Sequence, residues 1–289
     1  MRVLITGGSS LLAKYLYQTK PDDIELSSTW YTNHTDNAGY HLDIGNKSQV
    51  AYVFNRCNPD VIIHCAALGN VDFAENNYQQ AKHVIVDGTE NILKWAGGAK
   101  VIYISSNAVY NGTGSPYHEK SYQHPVNNYG LLKKQAERLV LDYQTEWLII
   151  RPFLLYGWPN AVNRSNWASM IVNKLKAGET LKLVDDVVWQ PTYAYDCASA
   201  IWEVMPYSYE SYNIASADML TLYEFGLKIA EIFELDSSLL EPVDSSYFKT
   251  IAARPKDTSY DLSKINGMGI KFDLEDGLER FKDEQESMD

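Results

Sequence analysis

The sequence predicts an α/β fold, a doubly wound parallel sheet joined to a smaller, discontinuous C-terminal lobe. Three observations predict it. Short β-branched apolar runs alternate with longer helical patterns through the first half, as strands linked by crossover helices do. The first of these runs leads straight into the small-residue turn Gly7-Gly8-Ser9-Ser10. After Arg151 the pattern loosens, punctuated by Pro152, Gly157, Pro159 and Pro191.

In chain order, the predicted strands are Arg2–Thr6, Glu25–Trp30, Val61–His64, Val101–Ser105 and Trp147–Arg151. Runs this apolar imply cover on both faces of the sheet. Helical patterns lie between them, near Leu11–Gln18, Ser48–Arg56, Asn76–Trp95 and Asn127–Gln144. Further helices are expected near Trp167–Ala177, Asp196–Val204 and Leu222–Phe233, and the chain ends in a solvated helix end or frayed tail. The core is read as residues 1–155 with contributions from about 190–215, and the second lobe as 156–189 and 216–289. A cleft between them would lie at the carboxyl ends of the strands, where such sheets bind ligands.

Composition narrows the function. A hydrophobic fraction of 45% supports a large core, and a formal charge of -12 argues against nucleic acid or an anionic membrane as partner. Cys57, Cys65 and Cys197 have neither metal-type nor disulfide-framework spacing and read as small buried hydrophobes. No metal site is predicted. No apolar run reaches membrane-spanning length and the N-terminal run is too short for a signal peptide, so a cytoplasmic location is expected.

The turn after the first strand suits a dinucleotide. Small residues let the backbone approach a pyrophosphate, whose charge meets the N–H groups at a helix N-terminus. Gly7 fits the first position of a Gly-x-x-Gly-x-x-Gly loop, while Ser10 and Ala13 stand at the second and third; Ser9, Leu11 and Leu12 fill out the contact. The second strand ends Ser28-Thr29-Trp30-Tyr31-Thr32 without a carboxylate. That removes repulsion against a ribose 2′-phosphate, so NADP(H) is favoured and NAD(H) remains possible. Asp43, beside Ile44, could accept from the adenine amino group or serve only as a turn residue.

Tyr129 and Lys133 stand four apart in a helical pattern, hence on one face. A nearby ammonium favours phenolate and lowers a tyrosine pKa. Such a tyrosine can donate a proton to a carbonyl oxygen as hydride arrives. In a chain with 21 tyrosines the spacing alone also fits a surface pair. A second feature joins it: the apolar strand before Ser105-Ser106 releases two hydroxyls at its carboxyl end, and Ser106 could hydrogen-bond a reacting oxygen.

With these residues placed, the chain resembles the extended short-chain dehydrogenase/reductase family and, within it, the branch of dTDP-4-dehydrorhamnose reductases. The resemblance runs through the Thr6–Ala13 loop, His64-Cys65-Ala66-Ala67, Val71-Asp72-Phe73-Ala74-Glu75 and the Ser105–Gly112 stretch. It continues in Tyr129/Lys133, Arg151-Pro152 leading to Leu155-Tyr156-Gly157, Gln190-Pro191-Thr192 and Ala253-Arg254-Pro255. It implies a Rossmann-type core and a catalytic set of Ser106, Tyr129 and Lys133. Lys133 would hold the cofactor ribose and depress the Tyr129 pKa, Ala66 and Ala67 would lie beside the cofactor, and Pro152 near the nicotinamide. Asn107 stands where the branch has Asp, and Ile85 where the superfamily has an active-site Asn.

On the substrate side, Asn107, Trp167, Trp189 and Arg254 are the candidates. Arg254 could clamp a diphosphate or make a structural salt bridge. Trp167 could stack on a base and Trp189 wall a sugar ring, or both could merely pack. The resemblance implies an NADPH-dependent reductase of a 4-keto-6-deoxy nucleotide-sugar, homodimeric through the helix bearing Tyr129. A nucleotide-sugar epimerase with bound NAD is one alternative, and a non-catalytic reductase-like subunit is another.

Overall fold

The computed structural model describes residues 1–34, 39–143, 145–160 and 165–287. Its main sheet has seven strands: β1 (Arg2–Thr6), β2 (Glu25–Trp30), β3 (Tyr40–His41), β4 (Val61–His64), β5 (Lys100–Ile104), β6 (Trp147–Pro152) and β7 (Glu210–Ile214). Every pairing is parallel and the order is β7-β6-β5-β4-β1-β2-β3. The order reverses between β1 and β4, where Thr6 sits opposite His64. This switch point opens the crevice.

The helices are α1 (Leu11–Gln18), α2 (Lys47–Cys57), α3 (Val71–Asn76), α4 (Tyr78–Lys82), α5 (Gly88–Trp95), α6 (Asn128–Leu141), α7 (Trp167–Lys176), α8 (Ala194–Val204), α9 (Leu222–Ile232), α10 (Ser263–Gly267) and α11 (Leu274–Glu286). Strand residues alternate between two apolar layers. Val3, Ile5, Ile63, Ile102 and Ile150 face the layer that holds α1 and α8, and this layer runs on into Phe225, Leu278 and Phe281. Leu4, Ile62, Val101 and Ile149 face the other, with Phe54, Ile92 and Leu132. Both faces of the sheet are covered, as its apolar strands require.

Two departures from the sequence reading stand out. The fifth strand begins at Lys100 and ends at Ile104, which leaves Ser105 outside the ladder. The single helix expected over Asn76–Trp95 is broken: Asn77 leaves helical geometry, and a π-turn at His83–Asp87 precedes α5. From the start of α5 the Thr89 hydroxyl donates back to the Ile85 carbonyl of that turn at 2.6 Å. The expected end of the next helix at Gln144 lies outside the described residues. Among the described residues no helix is long and apolar enough to cross a membrane.

Two polar knots fix the elements around the crevice. Under its floor, His64 Nδ1 meets Thr6 Oγ1 at 2.7 Å and Nε2 meets Thr89 Oγ1 at 3.1 Å, tying β1, β4 and α5 together. Because the Thr89 proton goes to Ile85, Nε2–H must donate and Nδ1 accept. Burial, with the Lys133 charge, holds the ring neutral, its pKa pushed down to about 3. Behind α1, Glu284 of α11 accepts from Lys14 and Tyr15 at 2.7 Å and from Tyr193 at 2.8 Å, which pins the helix that follows the phosphate loop.

Candidate active site

Two joined cavities occupy the crevice. The larger encloses about 860 Å³ and the smaller about 300 Å³, and Ser10, Cys65 and Ala67 line both. Gly7, Ser9, Tyr31, Asp43, Ile44 and Ala66 line the smaller one. Leu11, Leu12, Pro152, Tyr129 and Lys133 line the larger. All the sequence-expected cofactor residues therefore border one or other of these adjoining cavities. Gly7 has φ +76°, and a Cβ there would come within 2.7 Å of the Ala66 backbone nitrogen, so a side chain is excluded by both strain and space. Ser10 needs no glycine: its backbone is extended, and its hydroxyl caps α1 by accepting from the Ala13 N–H at 3.2 Å. First-turn N–H groups lack intrahelical acceptors, and this end of α1 meets the groove where the two cavities join. Asp43 accepts from the Gly45 N–H at 2.9 Å, a turn role that leaves its second oxygen for another donor.

The expected catalytic residues converge on the larger cavity. Asn127 caps α6 by accepting from the Gly130 N–H at 2.9 Å, which starts the helix one residue before Tyr129 is carried into place. Ser106, just beyond β5, donates to Asn107 Oδ1 at 3.2 Å and lies beside the Tyr129 phenol. Lys133 is buried, donates to the Ile104 carbonyl at 2.6 Å and sits 4.3 Å from the centre of the Tyr103 ring. Burial pushes its pKa down to about 7, against the pull of Glu137 and Cys65. One expectation is not met here. The Tyr129 pKa lies above, not below, its ordinary value, because burial of the phenol outweighs the Ser106 hydrogen bond. The Lys133 ammonium is turned to Ile104 rather than to the phenol.

Asn107, Trp167, Trp189 and Arg254 all contribute to the wall of the same cavity. Asn107 also donates to Thr258 Oγ1 at 2.8 Å. Trp167 begins α7 behind an Asn166 capping box. Trp189 lies in a two-residue strand paired with Leu220–Thr221, and its indole N–H is buried without a partner among the described residues. Arg254 grips Asp72 with both nitrogens, at 3.2 and 3.0 Å, the salt-bridge alternative of the sequence reading. Its guanidinium holds the Asp72 carboxyl below the usual range.

The sequence profile of the family described as RmlD substrate binding domain matches residues 1–285. The chain belongs to this family. It is thereby a member of the dTDP-4-dehydrorhamnose reductase branch of the extended short-chain dehydrogenase/reductases. Methionine adenosyltransferase 2 subunit beta of Mus musculus is 30% identical over 289 residues, covering 93% of this chain and 83% of that one. The structure of a dTDP-4-dehydrorhamnose reductase from Clostridium acetobutylicum superposes with a TM-score of 0.87 at 26% identity, covering 99% of this chain and 100% of that one. One from Bacillus anthracis, in complex with NADP, gives 0.85 at 28% identity, covering 98% and 99%.

In this RmlD family member, α6 is braced from behind by a buried fork. Arg151 donates to Glu137 at 2.9 and 2.7 Å and to the Tyr110 hydroxyl at 3.0 Å, and Gln123 adds a further donor to Glu137. Several wall residues escape sequence reasoning. Cys65 lines both cavities, with burial pushing its thiol up to about 12, although its strand-end place beside Ala66 is a usable signal. Leu154 turns into the wall at φ +24°, a left-handed conformation costly for a leucine. Phe248 and Thr258 come from irregular segments with no periodicity to read.

Proposed function

We propose that this protein is an NADP(H)-dependent reductase of a 4-keto-6-deoxy nucleotide-sugar. The observation that carries the reading is the convergence of Ser106, Tyr129 and Lys133 on one cavity that shares Ser10, Cys65 and Ala67 with a second, lined by the phosphate loop. The chain's residues fit a dinucleotide: the Gly7 cradle excludes a Cβ, and the smaller cavity is edged by Thr29, Tyr31 and Thr32 rather than by a carboxylate of β2. That edge favours a 2′-phosphate, in line with the NADP complex of the Bacillus anthracis relative. When bound, the nicotinamide supplies the hydride that a carbonyl carbon accepts.

Tyr129 then donates its proton to the carbonyl oxygen, and Ser106 steadies that oxygen by turning its hydroxyl proton to it from Asn107 Oδ1. A ligand that draws the Lys133 ammonium away from Ile104 would also bring its charge to bear on Tyr129, which lowers the phenol pKa during turnover. Residues 1–155 and about 190–215 would hold the cofactor, and 156–189 with 216–289 the sugar nucleotide. The α6 face bearing exposed Leu131 and Leu141 would join two copies.

Purified protein given NADPH and a panel of 4-keto-6-deoxy nucleotide-sugars tests the reading. Substrate-dependent NADPH oxidation that Tyr129→Phe abolishes is the expected result. A second reading has its own support: curated relatives at 26–30% identity are named as methionine adenosyltransferase 2 subunit beta, and the one arginine proposed for diphosphate is engaged with Asp72. Under that reading the fold binds a dinucleotide and serves as a subunit of another enzyme. Tight NADPH binding with no turnover across the panel would favour it.

A further inference from the structure

Asn107 is gripped at both ends of its amide. Its Nδ2 donates to Thr258 Oγ1 at 2.8 Å, while its Oδ1 accepts from Ser106 Oγ at 3.2 Å. Ser106 Oγ in turn accepts from the Ala108 N–H at 3.2 Å. A carboxylate at position 107 could only accept, from both hydroxyls; the amide instead donates to Thr258 and accepts from Ser106, which leaves the Thr258 proton free for another acceptor. The bridge joins residues 151 positions apart in the chain.

Thr258 is well placed to anchor it. It is 3% exposed, lies on the wall of the larger cavity, and belongs to a strap, residues 253–258, that also lends Arg254 and Pro255 to that wall. Asn127 donates to Ala253 O at 2.9 Å, Val188 N–H to Lys256 O at 2.8 Å, and Ser115 to Asp257 at 2.6 Å. Every one of these ties comes from a residue outside the strap, so the Thr258 hydroxyl is held at a fixed point relative to β5 and α6. The strap thus reaches the reacting centre through one side chain.

We propose that Thr258 is a positioning residue: by way of Asn107 it fixes Ser106, and so the Ser106–Tyr129 pair, at the cavity wall. The kinetic part of this proposal rests on the reductase reading. Thr258→Val keeps the shape and removes the hydroxyl. It should lower kcat about tenfold, a small misplacement being enough for that, with KM and NADPH affinity unchanged. Thr258→Ser should restore most of the rate. Because the effect runs through Asn107, the Thr258→Val/Asn107→Ala double variant should be no slower than Asn107→Ala alone.

The local claim has a readout that needs no turnover. In protein labelled with carbon-13 at the tyrosine ζ position, the Tyr129 resonance, assigned by its loss in Tyr129→Phe, should move in Thr258→Val and return in Thr258→Ser. Additive losses, a change confined to KM, or a Tyr129 resonance unmoved by Thr258→Val would overturn the proposal. Should Thr258→Val not fold, Thr258→Ala carries the same test. If the wild type turns over none of the panel, the reductase reading falls, and the resonance alone then decides for or against Thr258.

Discussion

Helix α6 carries two buried ionisable side chains one turn apart, and they sit in opposite circumstances. Glu137 meets Arg151 through a two-pronged ion pair, with both side chains almost fully buried. Lys133 is buried too, yet among the described residues it makes no ion pair and leans on a backbone carbonyl and a ring face. Burial with a counter-charge locks the ionised state: the Arg151 pKa is driven further up by Glu137 despite desolvation. Burial without one moves the proton equilibrium to about pH 7. The first region is built to hold, and the second to change state.

The largest expected effect breaks the holding region. Arg151→Met leaves Glu137 buried without its partner, which should cost about 3–5 kcal/mol of stability in urea denaturation. A loss below about 1 kcal/mol would mean that water reaches Glu137 and that the contrast with Lys133 is false. The next strikes the changing region. Tyr129→Phe should cut turnover by about 10²–10⁴-fold while leaving unfolding midpoint and NADPH affinity near wild type. A variant that keeps a tenth of the rate places the proton donor elsewhere.

A third prediction sharpens the comparison through pH. The folded Lys133 pKa of about 7 lies below its ordinary value of 10.5. Between these values the unfolded chain keeps a proton that the folded chain has shed, so stability rises with pH across the window. Relative to Lys133→Met, wild-type stability should climb by up to about 1.4 kcal/mol per pH unit from about pH 7 to 10. Below about pH 7 both states are protonated and the difference is flat. A flat difference throughout would show that Lys133 is solvated or paired after all.

The smallest effect concerns a half-exposed pair. Asp72→Asn removes the Arg254 partner, and stability should drop by no more than about 1 kcal/mol. If Arg254 binds substrate phosphate, the same change should tighten substrate binding severalfold in titration calorimetry. Weaker binding would assign the pair a purely structural part.

Much of the fold is legible in the sequence because its signals are local. Alternation and apolar runs mark β1, β4 and β6, and the phosphate loop follows from residues adjacent in the chain. β7 is not legible. Its sequence Glu-Ser-Tyr-Asn-Ile carries little apolar pattern, and it becomes a strand because the free edge of β6 offers it a ladder from Leu148 to Pro152. The break in the run before α5 is hidden for the reverse reason: helical backbone continues from His83 through Gly88, and the π-turn shows only where Thr89 reaches both Ile85 and His64. Cys65 passes for a plain core residue until the two cavities are seen to meet at it.

The sequence by itself determined which side chains share a face: Tyr129 with Lys133 by helical period, and Ser106 at a strand end by the end of an apolar run. Tertiary structure alone decided their states. Whether a lysine is charged, a phenol raised or lowered, or an arginine free depends on desolvation and on charges brought from distant parts of the chain, as Asp72 is brought to Arg254 across 182 positions. Periodicity is set by neighbours in sequence, and electrostatics by neighbours in space.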